Sequence, residues 1–150
     1  MRARIKWVEG AAWTAESDSG HGLVVDGSPD IGGRNLGPRP MELVLMGLGS
    51  CSAMDVISIL RKARQAVTDC VITLDAERAD TIPKVFTRIE MHYTVTGHDL
   101  DPAVVARAVN LSADKYCSVS RMLKPTVEIT HHFEVLPAAS GTPLASAGEP

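Results

Sequence analysis

A chain of 150 residues with 45% hydrophobic content has the size of one folded domain with a real core. Its net charge of −3 and its scattered basic residues leave no electrostatic footprint for nucleic acid or anionic lipid, so we expect a small-molecule substrate or a protein partner. The amino terminus has charges where a signal peptide would need its apolar stretch, so we expect no signal peptide, and no run approaches the roughly 18 apolar residues of a membrane span. These features predict a cytoplasmic protein without membrane association.

The amino-terminal part predicts three short strands. Residues 2–7 alternate between charged and less polar side chains, which is the period-two pattern of a half-buried strand. Strands around 12–16 and 22–26 follow, separated by turn-forming residues, and together they predict an antiparallel meander. Residues 27–40 contain seven glycines and prolines, which favour a functional or interface loop.

A long helix is predicted from Pro40, which suits the first helical position, to about Arg64. Its first half is apolar on nearly every side, a pattern typical of a buried helix. A chain of this size has difficulty surrounding such a helix. We therefore expect a homodimer in which a second subunit covers it, with insertion between layers of the same domain as the alternative.

The rest of the chain predicts a pair of strands, two helices and a last strand. The Asp101-Pro102 pair, a capping residue followed by proline, opens the first of these helices. In chain order, the predicted ranges are 67–78, 85–96, 102 to about 116, 118 to about 123, and 126–136. The folded domain is thus expected to cover residues 1–136, with 137–150 as a disordered tail.

Three cysteines, an odd number, favour free thiols over a structural disulfide framework. Cys117 stands where a helix begins, and the helix dipole there would lower its pKa, although burial as a small hydrophobic residue is the alternative. Cys51 lies inside the long helix among small residues such as Gly49, which would let a loop or a second helix approach its sulfur, and close helix–helix packing across a dimer axis is the alternative. Cys70 has no comparable setting and is expected to be structural.

Charged residues near the long helix are candidates to support a thiolate. Arg34 and Arg39, in the glycine- and proline-rich loop, could hold a thiolate or bind a peroxide oxygen, and ordinary solvated charges are the alternative. Glu42, in the first helical turn, could act in the site or simply favour the helix dipole. The five histidines have no ligand spacing with the cysteines, so we expect no metal and no cofactor.

Several motifs resemble those of the OsmC/Ohr family. They are the run from Pro40-Met41-Glu42-Leu43 through Gly47-Leu48-Gly49-Ser50 to Cys51, and Cys117-Ser118-Val119-Ser120, which lies 117 − 51 = 66 residues further on. The segments 4–10 and 96–100 look closest to the YhfA-like branch of that family. The resemblance implies an α+β fold in which antiparallel sheets pack on a long buried helix, in an intertwined homodimer.

The same resemblance implies reduction of organic hydroperoxides, with Cys51 as the peroxidatic and Cys117 as the resolving thiol, and with an external dithiol as reductant. It thereby reverses the roles that the helix dipole alone suggested. Met41 stands where the peroxidase members of the family have a glutamate. The alternatives are a non-catalytic, redox-sensing or small-molecule-binding dimer, and a structural dimer whose cysteines lie too far apart to bridge.

Overall fold

A computed structural model describes residues 1–139 of the chain, which divide into two compact units, Met1–Gly47 and the residues from Leu48 onward. The strands are β1 (Ala3–Glu9), β2 (Ala12–Ser17), β3 (Gly22–Val25), β4 (Ala66–Arg78), β5 (Phe86–His98) and β6 (Glu128–Pro137). The helices are α1 (Pro40–Lys62), α2 (Pro102–Leu111) and α3 (Ser118–Leu123), with a 3-10 turn at Pro29–Ile31 and a π-helical turn at Ser112–Tyr116. The predicted mixture of helices and strands is confirmed.

The first unit contains the expected antiparallel meander, in the order β1-β2-β3. Trp7 of β1 lies opposite Trp13 of β2, and Ile5 lies opposite Ala15. The prediction that the first strand is half-buried was wrong, since every residue of β1 is exposed and Trp7 retains 57% exposure. Alternation describes the two faces of this edge strand correctly, but it does not tell whether anything covers the apolar face.

A buried carboxylate organises the loop after β3. Asp26 accepts hydrogen bonds from the backbone N–H groups of Gly27, Arg34 and Leu36, at 2.7, 2.9 and 3.1 Å. The bonds from Leu36 and Arg34 are the main reason why the pKa of Asp26 lies below its usual value. Glycine is required at position 33, because a Cβ there would lie 1.9 Å from the Gly27 carbonyl oxygen. No motif in the sequence indicates this role of Asp26.

Helix α1 begins at Pro40, as predicted, and ends at Lys62. Within it, the fully or nearly buried side chains follow a single stripe, formed by Leu48, Ser52, Val56 and Leu60. Met54, on another side of the helix, is 73% exposed. The elements of this chain therefore bury only one face of α1, which contradicts the alternative of insertion between layers of the same domain. Cover by a second subunit stays a prediction.

Helix α1 also corrects the expectation about membrane spans. An 18-residue window in Pro40–Lys62 has a mean hydropathy of 1.9, so the helix is long and apolar enough to cross a membrane by length and composition alone. The core helix of a soluble protein can meet the same criterion. Within the single chain 28% of that window is buried, and the buried stripe of α1 brings Ser52 into a polar network with Tyr93 of β5.

The second unit holds the sheet β4-β5-β6. β4 pairs antiparallel with β5, as predicted, but β6 pairs parallel with β5, where antiparallel sheets were expected. Alternate residues of β5 form the core, and Ile89, Met91, Tyr93 and Val95 are all fully buried. Parallel neighbours require a crossover connection, which here consists of α2, the π-helical turn and α3.

The crossover begins as the sequence predicts. The side chain of Asp101 accepts a hydrogen bond from Ala103 N–H at 2.8 Å, and Pro102 occupies the first helical position. The helix was expected to continue to about Tyr116, but α2 ends at Leu111 and its last turn widens into the π-helical turn. The predicted tail starts inside β6, which ends at Pro137, and residues 140–150 of that tail lie outside the described part of the chain.

Candidate thiol site

Two of the three cysteines meet in the second unit. The Sγ atoms of Cys51 and Cys117 and a carboxylate oxygen of Asp55 all lie within 4.8 Å of one another. Both cysteines are free thiols. A disulfide needs an S–S distance of about 2.05 Å, so the two sulfurs would have to approach each other by up to about 2.7 Å to form one. This proximity argues against the alternative in which the cysteines are too distant to bridge.

Cys51 is placed by α1, and Asp55 follows it by one turn on the same face. The small residues before Cys51 have a different use from the one predicted. A Cβ on Gly49 would lie 2.8 Å from Cδ1 of Leu74, so this glycine admits a side chain of strand β4. The predicted close approach is therefore real at Gly49, but it is made by the sheet.

Cys117 is buried, with 2% exposure, and its Sγ caps α3 by accepting a hydrogen bond from Ser120 N–H at 3.4 Å. The pKa of Cys117 is raised to about 11, mainly because burial disfavours the thiolate; the Ser120 N–H lowers it and the adjacent Cys51 thiol raises it within that net value. The expectation of an acidic Cys117 was wrong. A helix of six residues supplies little dipole, and desolvation of the thiolate outweighs it.

A chain of hydrogen bonds leads from the core to the carboxylate of this site. The Tyr93 hydroxyl bonds Ser52 Oγ at 2.7 Å, and Ser52 Oγ bonds Ser112 Oγ at 2.8 Å. Ser112 Oγ in turn donates to Asp55 Oδ2 at 3.2 Å. The three hydroxyl-bearing residues are buried, and Ser112 opens the π-helical turn, a feature often found at functional sites.

We expect Ser52→Ala to lower the free energy of unfolding by about 1–3 kcal/mol, because it deprives two buried hydroxyls of their shared partner. Urea unfolding measures the change. Ser58→Ala, on the exposed side of the same helix, is the matched control and should stay within about 0.5 kcal/mol of wild type. Equal effects of the two substitutions would contradict the assigned network.

The three charged candidates lie in the first unit. Glu42 accepts hydrogen bonds from Arg39 N–H at 2.9 Å and from the Arg39 guanidinium at 3.3 Å, which is the glutamate half of a capping box at the start of α1. Arg34 pairs with Glu9. These contacts give each residue a structural partner, and their suggested support of a thiolate stays a prediction.

The remaining cysteine and the histidines lie outside the cluster of Cys51, Asp55 and Cys117. Cys70 lies on β4, and burial raises its pKa. His131 packs against the Tyr93 ring, with centroids 6.2 Å apart, while its neighbour His132 pairs with Glu90 at 3.1 Å. The two neighbouring histidines thus have different partners, as their position in a strand predicts.

Comparison with known proteins identifies several relatives. The model of the OsmC-like protein family matches residues 32–132. Protein YhfA from Escherichia coli K12 is 53% identical over 138 residues, which is 92% of this chain and all of the relative.

Solved structures share the fold. A hypothetical protein from Aquifex aeolicus is 32% identical, with a TM-score of 0.81 over 92% of this chain and 97% of that one. An organic hydroperoxide resistance protein OsmC from Legionella pneumophila, described as a predicted redox protein, has a TM-score of 0.69 over 89% of this chain and 96% of that one. Its 18% identity shows a common fold only.

Proposed function

Because the chain belongs to the OsmC-like protein family, we propose that it reduces organic hydroperoxides through Cys51 and Cys117, in defence against oxidative stress. The main observation behind the proposal is that the sulfur of the partly exposed Cys51 lies within 4.8 Å of the sulfur of the buried Cys117. The family also includes proteins named for organic hydroperoxide resistance, which supports this class of substrate.

In the proposed mechanism, the Cys51 thiolate attacks one oxygen of the hydroperoxide, and the O–O bond breaks. The alcohol leaves after taking up a proton, and Cys51 becomes a sulfenic acid. The Cys117 sulfur then attacks Cys51, water leaves, and a Cys51–Cys117 disulfide forms. An external dithiol returns both residues to thiols and is itself oxidised.

The proposed roles of Cys51 as the attacking thiol and Cys117 as the resolving thiol follow from their difference in solvent exposure. Cys51 is partly exposed and can meet a substrate, whereas Cys117 is buried and meets only a group already at the site. Met54, one turn from Cys51 on α1, offers an exposed apolar side chain, which favours an organic hydroperoxide over hydrogen peroxide. The free thiols suit the reducing cytoplasm.

We propose that the active form is a homodimer. Exposed apolar side chains support it in each unit separately: Ile5 and Trp7 on one face of β1, and Met54 on α1. Apolar side chains exposed together on a sheet face mark interaction surfaces. A second copy of the chain would cover such surfaces. The exposed side of α1 would then be buried, as the apolar composition of the helix predicts.

A redox sensor that oxidises once without cycling is the second candidate. The raised pKa of Cys117 favours it, because a protonated thiol attacks a sulfenic acid slowly. Met41, in place of the glutamate of the peroxidase members, points the same way. Turnover separates the two candidates, since a sensor stops after one equivalent of peroxide even with a dithiol present.

The test is consumption of cumene hydroperoxide with excess dithiol. We expect Cys51→Ser to consume the peroxide no faster than buffer with dithiol, because the attacking sulfur is gone. Cys70→Ser removes a thiol outside the site and should match wild type. If Cys51→Ser turns over as fast as wild type, Cys51 is not the peroxidatic residue.

A further inference from the structure

The group formed by Cys51, Asp55 and Cys117 has the composition of a metal site. We propose that the reduced chain binds one thiophilic divalent cation, such as Zn²⁺, through the two sulfurs and the Asp55 carboxylate. The expectation that the chain binds no metal rested on the spacing of the histidines, and none of them belongs to this group. The inference goes beyond hydroperoxide reduction and does not depend on it.

The distances fit a small contraction around an ion. Zn²⁺ binds thiolate sulfur at about 2.3 Å and carboxylate oxygen at about 2.0–2.2 Å, which brings two sulfurs of a tetrahedral site to roughly 3.8 Å from each other. The three ligand atoms already lie within 4.8 Å of one another. Closing the site around an ion would therefore take a contraction of roughly 1 Å between the ligand atoms.

The donor set favours a soft cation. Two thiolates select metals such as Zn²⁺ over Mg²⁺ and Ca²⁺, which prefer oxygen ligands. On binding, each thiol releases its proton, and the two thiolates with the carboxylate carry three negative charges, which the dication partly neutralises. Three protein ligands leave a fourth position for water, as in zinc sites that are open to solvent.

Two further contacts orient the ligands. Ser112 Oγ donates to Asp55 Oδ2 at 3.2 Å, and Ser120 N–H donates to Cys117 Sγ at 3.4 Å. Such partners fix the direction of metal ligands and strengthen the site. Asp55 also lines a surface cavity of about 330 Å³, together with Lys62, Leu111 and Tyr116, so one side of this ligand residue borders open space.

Metal binding and disulfide formation use the same two sulfurs, so they exclude each other. A bound cation would hold both thiols as metal thiolates and protect them from oxidation. Oxidation to the Cys51–Cys117 disulfide would in turn release the cation, because a disulfide sulfur is a poor metal ligand. The group would then respond both to metal supply and to oxidant.

The experiment is an anaerobic titration of the reduced full-length protein with Co²⁺, followed by displacement with Zn²⁺. We expect one Co²⁺ per chain and thiolate-to-cobalt charge-transfer absorption. Cys51→Ser should weaken both the absorption and the affinity. Asp55→Asn, which preserves the shape of the side chain, and Ser112→Ala, which frees the carboxylate, should each weaken binding by at least about tenfold.

Cys70→Ser is the matched control and should behave as wild type, and circular dichroism of each metal-free variant reports folding. The proposal is overturned if wild type gives no charge-transfer absorption, if Cys70→Ser removes it, or if Cys51→Ser leaves it unchanged. Because no peroxide is present, these outcomes are independent of the outcome of the turnover assay. A chain that binds Co²⁺ without reducing peroxide would support the metal site and refute the proposed function.

Discussion

The Cys117→Ser variant is expected to consume a first equivalent of cumene hydroperoxide per chain as wild type does, and then to cycle more slowly than wild type with excess dithiol, because the external dithiol must reduce the Cys51 sulfenic acid directly. The substitution leaves the partly exposed Cys51 able to attack, but it removes the sulfur that lies within 4.8 Å and would form the disulfide. Stopped-flow measurement of peroxide consumption gives the initial burst and the later rate separately. Cys70→Ser is again the control.

The pH dependence of wild-type turnover gives a second readout for the same step. Burial raises the pKa of Cys117 to about 11, so its thiolate fraction increases about tenfold per pH unit from neutral pH toward that value. If disulfide formation limits turnover, the rate should rise with pH over this range. A Cys117→Ser variant that cycles at the wild-type rate would show that Cys117 is not the resolving residue.

Leu60→Ala is expected to cost about 2–5 kcal/mol of unfolding free energy, because the side chain is fully buried near the end of α1 and its removal leaves a cavity. Urea unfolding at one protein concentration measures the loss. Met122→Ala on α3 removes a large apolar side chain that is 78% exposed, and it should stay within about 0.5 kcal/mol of wild type. Similar losses in both variants would contradict the assigned core.

The elements of the fold followed from local patterns, since turn residues, alternation and the Asp101-Pro102 cap act over a few residues. The burial of these elements could not be predicted from the same local patterns. Alternation in β1 and the apolar first half of α1 both suggested covered surfaces, but in a single chain Trp7 and Met46 are exposed. Covering depends on what packs against an element, and local sequence does not contain that information.

The candidate site was only partly accessible from sequence. Cys51 and Cys117 were paired by family resemblance, because 66 residues separate them and no local pattern links the two. The helix dipole alone did not predict the raised pKa of Cys117, because desolvation of the thiol depends on elements that are distant in the sequence. Asp55 was missed, and the signal that could have found it is its spacing of four residues from Cys51 in a helix.

The parallel pairing of β6 with β5 has a consequence for how the chain folds. These two strands can pair only when the chain between them, the whole crossover, has brought them together. Such non-local contacts form slowly because the entropy of loop closure opposes them. Cys117 lies in that crossover, whereas Cys51 precedes the sheet in the chain. In an unfolded or newly made chain the two thiols are thus ordinary and separate, and their shared chemistry arises only when folding of the second unit is complete.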